Sequence, residues 1–146
     1  MPWIALETRI AASPEQVFDT VAHMENYAAA IPDIVEYEFL SEQNRGQGTR
    51  FSEVRMMKGK AHKLEFEVVG YIPPDSVQIV NDSGEATWDS TFSVQAVDGG
   101  SLLRLEMDVV AKKFMLKLML PLIKGMVRKG VAKDMQCVKE YCEAQN

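Results

Sequence analysis

Residues 12–21, ASPEQVFDTV, contain the clearest helix start in the chain. Ser13 is a residue type that caps helices, Pro14 suits the first helical position, and Gln16 stands where a capping box has Glu or Gln. The apolar residues of this helix share one face: Val17, Phe18 and Val21. The sequence therefore predicts an amphipathic helix that must pack on something apolar nearby.

The segments on either side of this helix are predicted from their periodicity. Residues 3–11 alternate loosely and indicate a strand, and a second short helix over residues 25–30 ends before Pro32. Further strands, separated by turn residues, are predicted over residues 35–39, 49–57, 63–68, 77–80, 86–94 and 103–109. Long strands at short intervals favour an antiparallel meander with one apolar and one charged face. Only the C-terminal region, helped by the early helices, can cover that apolar face.

Residues 112–130, KKFMLKLMLPLIKGMVRKG, begin this covering region. Four of its apolar side chains fall within about 60° on a helix: Met115, Met119, Leu122 and Met126. A second apolar set is centred on a different side of the helix: Val131, Met135, Val138 and Cys142. Because Pro121 removes a backbone donor, we expect two helical pieces with a joint between Leu120 and Gly130.

Composition and length limit the class of protein. A chain of 146 residues with 47% apolar and 25% charged residues is typical of one domain, here residues 1–146. We expect no membrane span, because apolar runs stay shorter than about 20 uncharged residues, and no signal peptide, because the N-terminus has no basic region followed by an apolar core. Cys137 and Cys142 lie five residues apart on a helix, so we expect no disulfide between them and a cytoplasmic location.

Charge is distributed unevenly along the chain. Residues 112–139 hold eight Lys or Arg against one acid, which is +7, so the remainder of a chain with net charge −5 carries −12. Such a segment is either a solvated helix face or a surface that attracts anionic lipid or an acidic partner. Nucleic acid is not expected, because Phe114 is the one aromatic residue of the segment and no nucleic-acid motif is present.

The order of these elements resembles a known superfamily. A strand is followed by ASPEQVFDTVAHMENYAAAIPDIVEYEFL, then GQGTRF, a long meander, GGSLLRLEMDV and a terminal helix. The whole chain is similar to the helix-grip superfamily, which includes START domains, Bet v 1 and the polyketide cyclase/dehydrase and lipid-transport group. The resemblance implies an α+β fold in which a seven-stranded antiparallel sheet curves around the C-terminal helix, with two short helices after strand one. It also implies an elongated apolar cavity between sheet and helix.

The candidate ligand-binding residues lie on the apolar side of the meander and on the Met-rich helix. They are Leu64, Phe66, Tyr71, Trp88, Ser90, Phe92, Leu105, Met107, Met115, Met119, Leu122 and Met126. The Met side chains serve equally as adaptable core filling or as the wall of a pocket with a movable lid. Tyr71 and Trp88 each offer a donor to an apolar chamber, and the Ser90 hydroxyl bonds either backbone or a ligand.

Candidates for chemistry are few. Glu53 and Arg55 would be an acid–base pair in the cavity if their face of the strand looks inward. If Ser52, Val54 and Met56 look inward instead, both charges are solvated, and we expect this second arrangement. His23 is predicted at the surface or at a hinge, and His62 is predicted to be exposed. No metal-ligand spacing and no cofactor motif is present, so we expect neither.

These observations favour one function and leave two alternatives. We expect the protein to bind a hydrophobic or amphipathic small molecule such as a lipid, isoprenoid or polyketide, and we leave open whether it transports or sequesters that molecule. A cyclase or dehydratase acting on a poly-keto substrate is the first alternative. Docking of the basic C-terminal helix on a partner or, transiently, on an anionic membrane surface is the second. The oligomeric state is not predicted.

Overall fold

The computed structural model describes residues 1–146. Seven strands and three helices follow one another along the chain. They are β1 (Ile4–Ile10), α1 (Pro14–Ala22), α2 (Met24–Ala30), β2 (Ile34–Phe39), β3 (Arg50–Met57), β4 (Lys60–Ile72), β5 (Ser76–Asp82), β6 (Ala86–Val97), β7 (Gly100–Ala111) and α3 (Phe114–Ala144).

All seven strands form one antiparallel sheet in the order β1-β7-β6-β5-β4-β3-β2. Strands β2 to β7 are a meander, and β1 joins the sheet beside β7. The sheet curves around one side of α3, so the predicted α+β helix-grip fold is confirmed. We call the side of the sheet that faces the helices its concave face.

The predicted start of α1 is also confirmed. Pro14 is the first residue of the helix, and the Ser13 hydroxyl accepts a hydrogen bond from the Gln16 backbone N–H at 3.2 Å. The Gln16 side chain does not complete a capping box. It donates instead to the Cys142 carbonyl oxygen at 3.1 Å. This bond ties the start of α1 to the end of α3.

The core lies between α1, α2, the second half of α3 and the neighbouring concave face. Its most deeply buried side chains include Phe18 of α1, Leu103 of β7 and Val138 of α3. Cys142 is buried here and donates from its thiol to the Thr20 hydroxyl at 3.3 Å. Both cysteines are free, as their spacing predicts.

The C-terminal region forms one continuous helix, so the predicted joint between Leu120 and Gly130 is wrong. Pro121 lies inside the helix, where it removes one backbone donor, and it is exposed to solvent. The predicted joint depends on the stripe of Met115, Met119, Leu122 and Met126, whose side chains are exposed. A single stripe, with members three or four residues apart, runs along the partly or fully buried side of α3: Leu116, Leu120, Ile123, Val127, Val131, Met135, Val138 and Cys142. One unbroken helix keeps this stripe toward the sheet, so no change of direction is required.

None of the three helices combines the length and the apolar character that a membrane crossing requires.

Candidate functional site

The two halves of α3 are packed differently. Its buried residues are Asp134, Met135, Val138 and Cys142, all in the second half, and no residue between 114 and 133 is buried. The second half packs mainly on β1, α1 and α2. The stripe from Leu116 to Val127 is only partly covered, so the first half of α3 stands away from the middle strands.

The concave face opposite this first half keeps apolar side chains that are only half-buried. Register places Ser90 opposite Met107 and Trp88 opposite Val109 on β6 and β7, and β5 lies between these two strands and β4. The half-buried members are Leu64, Phe66, Trp88, Ser90 and Met107. We call the space between these five residues and the Leu116–Val127 stripe the cleft.

Deeper on the same face, the side chains are packed. Phe92 and Leu105, both predicted to bind ligand, are core residues with 5% and 3% exposure. The enclosed cavity beside Phe92 measures only about 30 Å³, the space of about one water. It is lined by Val21, Ala22, Met24, Tyr27, Phe51, Glu53, Val68, Ile79 and Phe92. This enclosed space is much smaller than the elongated cavity that the resemblance implies, so a ligand would have to use the more open cleft.

The methionine stripe of α3 does not face the cleft. Met115, Met119, Leu122 and Met126 are exposed by 46–81%, and they lie about 100° around the helix from the half-buried stripe. Their predicted position against the sheet is wrong. Because both stripes repeat every three or four residues, periodicity alone does not say which of them meets the sheet.

Glu53 and Arg55 point inward, so the expectation that both charges are solvated is wrong. The antiparallel register pairs Glu53 with Leu64 and with Tyr37, which places it on the concave face beside Phe51. Glu53 is 4% exposed and lines the small cavity. Strand periodicity alone does not predict this orientation, because it does not show which face of β3 the helices cover.

Arg55 joins two carboxylates in a charged cluster that comprises Glu53, Arg55 and Asp134. Its Nε donates to Glu53 Oε2 at 3.1 Å, and its Nη1 donates to Asp134 Oδ1 and Oδ2 at 3.0 and 2.8 Å. Asp134 belongs to α3 and was missed at the sequence level, where it appeared as the one acid in a basic segment. The position of Asp134 as the one acid in a basic segment was the signal that the sequence contained, because an acid on the apolar side of a basic helix requires a cationic partner.

Burial dominates the electrostatics of this cluster. Burial raises the pKa of Glu53, and Arg55 offsets this only in part while Asp134 adds to it. Burial likewise raises the pKa of Asp134 against the opposing effect of Arg55. The pKa of the neighbouring Tyr27 phenol is raised by burial first and by Asp134 second. Two carboxylates that share one guanidinium thus form a site that accepts protons readily.

His23 lies between α1 and α2, but it is 3% exposed, so its predicted surface position is wrong. Its Nε2 shares a hydrogen bond with the Tyr71 hydroxyl at 2.9 Å, while its Nδ1 has no hydrogen-bond partner and lies 3.7 Å from Asp19. Burial lowers the pKa of His23. The Tyr71 hydroxyl is therefore already occupied, which leaves it less available to a ligand than the sequence suggested. His62 is exposed, as predicted.

Trp88 is the aromatic residue best placed in the cleft. It is half-buried, and its ring packs edge-on against Trp3 with ring centroids 5.9 Å apart. Ser90 follows on the same face, between Trp88 and Phe92. Because the small Ser90 side chain follows the Trp88 ring on this face, there is room above the sheet for an apolar ligand.

The sequence matches the family described as polyketide cyclase / dehydrase and lipid transport over residues 1–140. No curated protein matches the chain significantly. Several solved structures share its fold at low identity. Ara h 8.0201 superposes with a TM-score of 0.78 at 15% identity, with 97% of each chain covered.

Two further structures share the fold. The di-domain ARO/CYC StfQ from the steffimycin biosynthetic pathway has a TM-score of 0.75 at 11% identity, over 97% of this chain and 50% of StfQ. A START superfamily protein from Mycobacterium smegmatis has a TM-score of 0.71 at 17% identity, over 97% and 94% of the two chains. Because the family match extends over nearly the whole sequence, the chain belongs to the polyketide cyclase / dehydrase and lipid transport family.

Proposed function

We propose that this protein binds a hydrophobic or amphipathic small molecule in the cleft. One observation carries the proposal: Leu64, Phe66, Trp88 and Met107 stay half-buried because the first half of α3 does not pack down on them. Covering apolar surface contributes about 25 cal/mol for each Å² removed from water, so a lipid-like molecule gains by filling the space. Lipid transport in the family description supports the same conclusion.

The charged cluster gives the ligand a preferred polar end. With both carboxylates ionised, Glu53, Arg55 and Asp134 sum to −1, and the guanidinium donors used in the cluster are already directed at carboxylates. A ligand carboxylate would therefore meet repulsion. A hydroxyl or phenol would instead donate to Glu53, which lies opposite the cleft residue Leu64 in the register of β3 and β4. We expect a long apolar alcohol, isoprenoid alcohol or phenolic polyketide rather than a fatty acid.

A ligand panel tests the proposal. The purified protein is incubated with a long-chain alcohol, a fatty acid, an isoprenoid quinone and an aromatic polyketide, and bound species are weighed by native mass spectrometry. Ser90→Phe fills the cleft, whereas the matched control Thr91→Phe adds the same group on the other face of β6. We expect one-to-one complexes with the wild type and Thr91→Phe, weakened at least tenfold in Ser90→Phe. No complex with any member, or equal binding by all three proteins, contradicts the proposal.

A cyclase or dehydratase is a second candidate, favoured by the buried position of Glu53 on the cavity wall. Its carboxylate would remove a proton from the carbon between two ketones of a poly-keto chain. The carbanion would add to a third ketone of the same chain and form a carbon–carbon bond. The protonated Glu53 would return its proton to the resulting alkoxide and give a hydroxyl. The Glu53 carboxylate would then take the second proton of the same carbon and pass it to that hydroxyl, which leaves as water while a carbon–carbon double bond forms. The StfQ structure, named as an ARO/CYC, shows that this fold is found among such proteins.

The cyclase or dehydratase hypothesis has a test of its own. A poly-keto thioester is incubated with the wild type, with Glu53→Gln and with the matched control Glu65→Gln, an exposed residue on β4. The enzyme hypothesis expects cyclised product with the wild type and the control, and at least a hundredfold slower formation with Glu53→Gln. Cyclisation at the uncatalysed rate in all three leaves ligand binding as the function.

A further inference from the structure

The first half of α3 exposes an unusually apolar surface. Its large exposed side chains are Phe114, Met115, Leu118, Met119, Leu122 and Met126, each 46–81% accessible. On a helix these six cover an arc of about 140° that faces away from the cleft. We call them the outer face of α3. Exposed apolar residues in this number on one helix mark an interaction surface.

Cations border the outer face. Lys113, Lys117, Lys124 and Arg128 occupy an arc of about 60° directly beside it, and Lys129 lies within it. None of these five makes a salt bridge, whereas the cations at either end of the region are paired, Lys112 with Asp82 and Lys133 with Asp33. No acid occurs between residues 112 and 130. The unpaired positive charge is thus concentrated where the apolar surface is exposed.

The β3–β4 hairpin also exposes apolar and basic side chains, at the end of the sheet where α3 begins. The antiparallel register shows that β7 ends, and α3 begins, at the end of the sheet where the β3–β4 and β5–β6 hairpins turn. The β3–β4 hairpin exposes Met56 and Met57 by 38% and 40%, beside Lys58 and Lys60. Apolar and basic side chains therefore occur on both elements that frame this end of the cleft.

We propose that the outer face of α3 docks on the surface of an anionic lipid bilayer. The helix would lie in the interface with Phe114, Leu118 and Leu122 among the acyl chains and its lysines at the headgroups. Outside residues 112–139 the chain has a net charge of −12. A bilayer that contacts the outer face therefore meets the one strongly positive region of an acidic protein. A second copy of the chain would bring two such basic helices together, which disfavours a dimer through this face. This docking does not depend on whether the cleft holds a ligand.

Vesicle co-sedimentation tests the proposal. Vesicles of phosphatidylcholine alone are compared with vesicles containing about 30% phosphatidylglycerol, at about 50 and 500 mM NaCl. Each cation near an anionic surface strengthens binding about fivefold, so Lys117→Glu/Lys124→Glu is expected to weaken it by at least tenfold. The matched control Arg9→Glu/Arg50→Glu makes the same charge change at the other end of the sheet and keeps wild-type binding. Leu118→Ser/Leu122→Ser weakens binding even at low salt.

Three results would overturn the proposal. Absence of binding to anionic vesicles at low salt is the first. Equal loss in the Lys117/Lys124 and Arg9/Arg50 variants is the second, because it would indicate attraction by net charge alone. The third is a concentration-dependent dimer in light scattering that Leu118→Ser/Leu122→Ser abolishes, since a second copy would then cover the outer face. Circular dichroism checks that each variant folds, as expected for changes at exposed positions.

Discussion

Arg55 on β3 donates from one guanidinium nitrogen to both carboxylate oxygens of Asp134 on α3, at 3.0 and 2.8 Å. The two side chains are 16% and 11% exposed, so the bond is largely shielded from water. It lies where α3 changes from its packed second half to its free first half. The bond therefore holds α3 to β3 at the point from which the first half of α3 extends along the cleft.

Loss of this anchor is expected to destabilise the fold. Arg55→Gln leaves the buried carboxylates of Glu53 and Asp134 without their cation, and removing one partner of a buried pair costs about 3–5 kcal/mol. The free energy of unfolding from urea denaturation measures the loss. Lys133→Ala, which removes the exposed neighbouring pair with Asp33, is the control and is expected to cost less than about 1 kcal/mol. Equal costs in the two variants would contradict the anchoring role.

The charged cluster predicts how stability depends on pH. Since the pKa of Glu53 in the folded protein lies above the 4.5 of the free side chain, folding favours the protonated acid. The contribution of this group is therefore fully present below pH 4.5 and is lost as pH rises through the raised folded pKa. Asp134 adds a change of the same sign. Glu53→Gln, which cannot ionise, is expected to show a smaller loss of unfolding free energy between pH 5 and 8 than the wild type. An unchanged or steeper loss would refute the raised pKa.

Ligand preference follows from the charge of the cluster. A long-chain alcohol is expected to bind at least tenfold more tightly than the fatty acid of equal chain length at neutral pH, because the acid would lie near two carboxylates. Isothermal titration calorimetry measures both affinities. Glu53→Gln removes one of the carboxylates and is expected to reduce the difference in affinity between the alcohol and the fatty acid. A fatty acid that binds better than the alcohol would show that the polar end of the ligand lies elsewhere.

The continuity of α3 through Pro121 makes a prediction about Gly125. A methyl group added at Gly125 meets no other atom within 4 Å, so Gly125→Ala gains only helix propensity, about 1 kcal/mol. A rise in melting temperature is expected. Gly59→Ala is the contrasting variant, because Gly59 has φ +78° in the β3–β4 turn and alanine there is strained. A lower melting temperature for Gly125→Ala would indicate that the helix breaks near Pro121 after all.

Much of the fold could be predicted from the sequence because its signals are local. The cap at Ser13, the turn residues and the alternation along β6 and β7 each depend on a few neighbouring residues, and the structure agrees with all of them. The order of elements then identified the superfamily, which the family match confirms.

The candidate site was harder to predict, because it depends on which of two equivalent faces meets another element. Glu53 and Ser52 alternate on β3, and only the packing of α2 and α3 shows that Glu53 lies on the concave face. The Met115 stripe and the Leu116 stripe of α3 have the same spacing, and only contact with the sheet distinguishes them. Asp134 and His23 were missed since their partners, Arg55 and Tyr71, are 79 and 48 residues away in sequence.

Binding of Nile red, a neutral dye that fluoresces in apolar surroundings, tests the cleft most directly. The dye is titrated into the wild type, Ser90→Phe and Thr91→Phe, and Leu118→Ser/Leu122→Ser accounts for dye on the outer face of α3. We predict a saturable site in the wild type and Thr91→Phe that is weakened at least tenfold in Ser90→Phe and unchanged in the Leu118/Leu122 variant. Equal binding by Ser90→Phe and the wild type, with loss only in the Leu118/Leu122 variant, would contradict a ligand site between the sheet and α3.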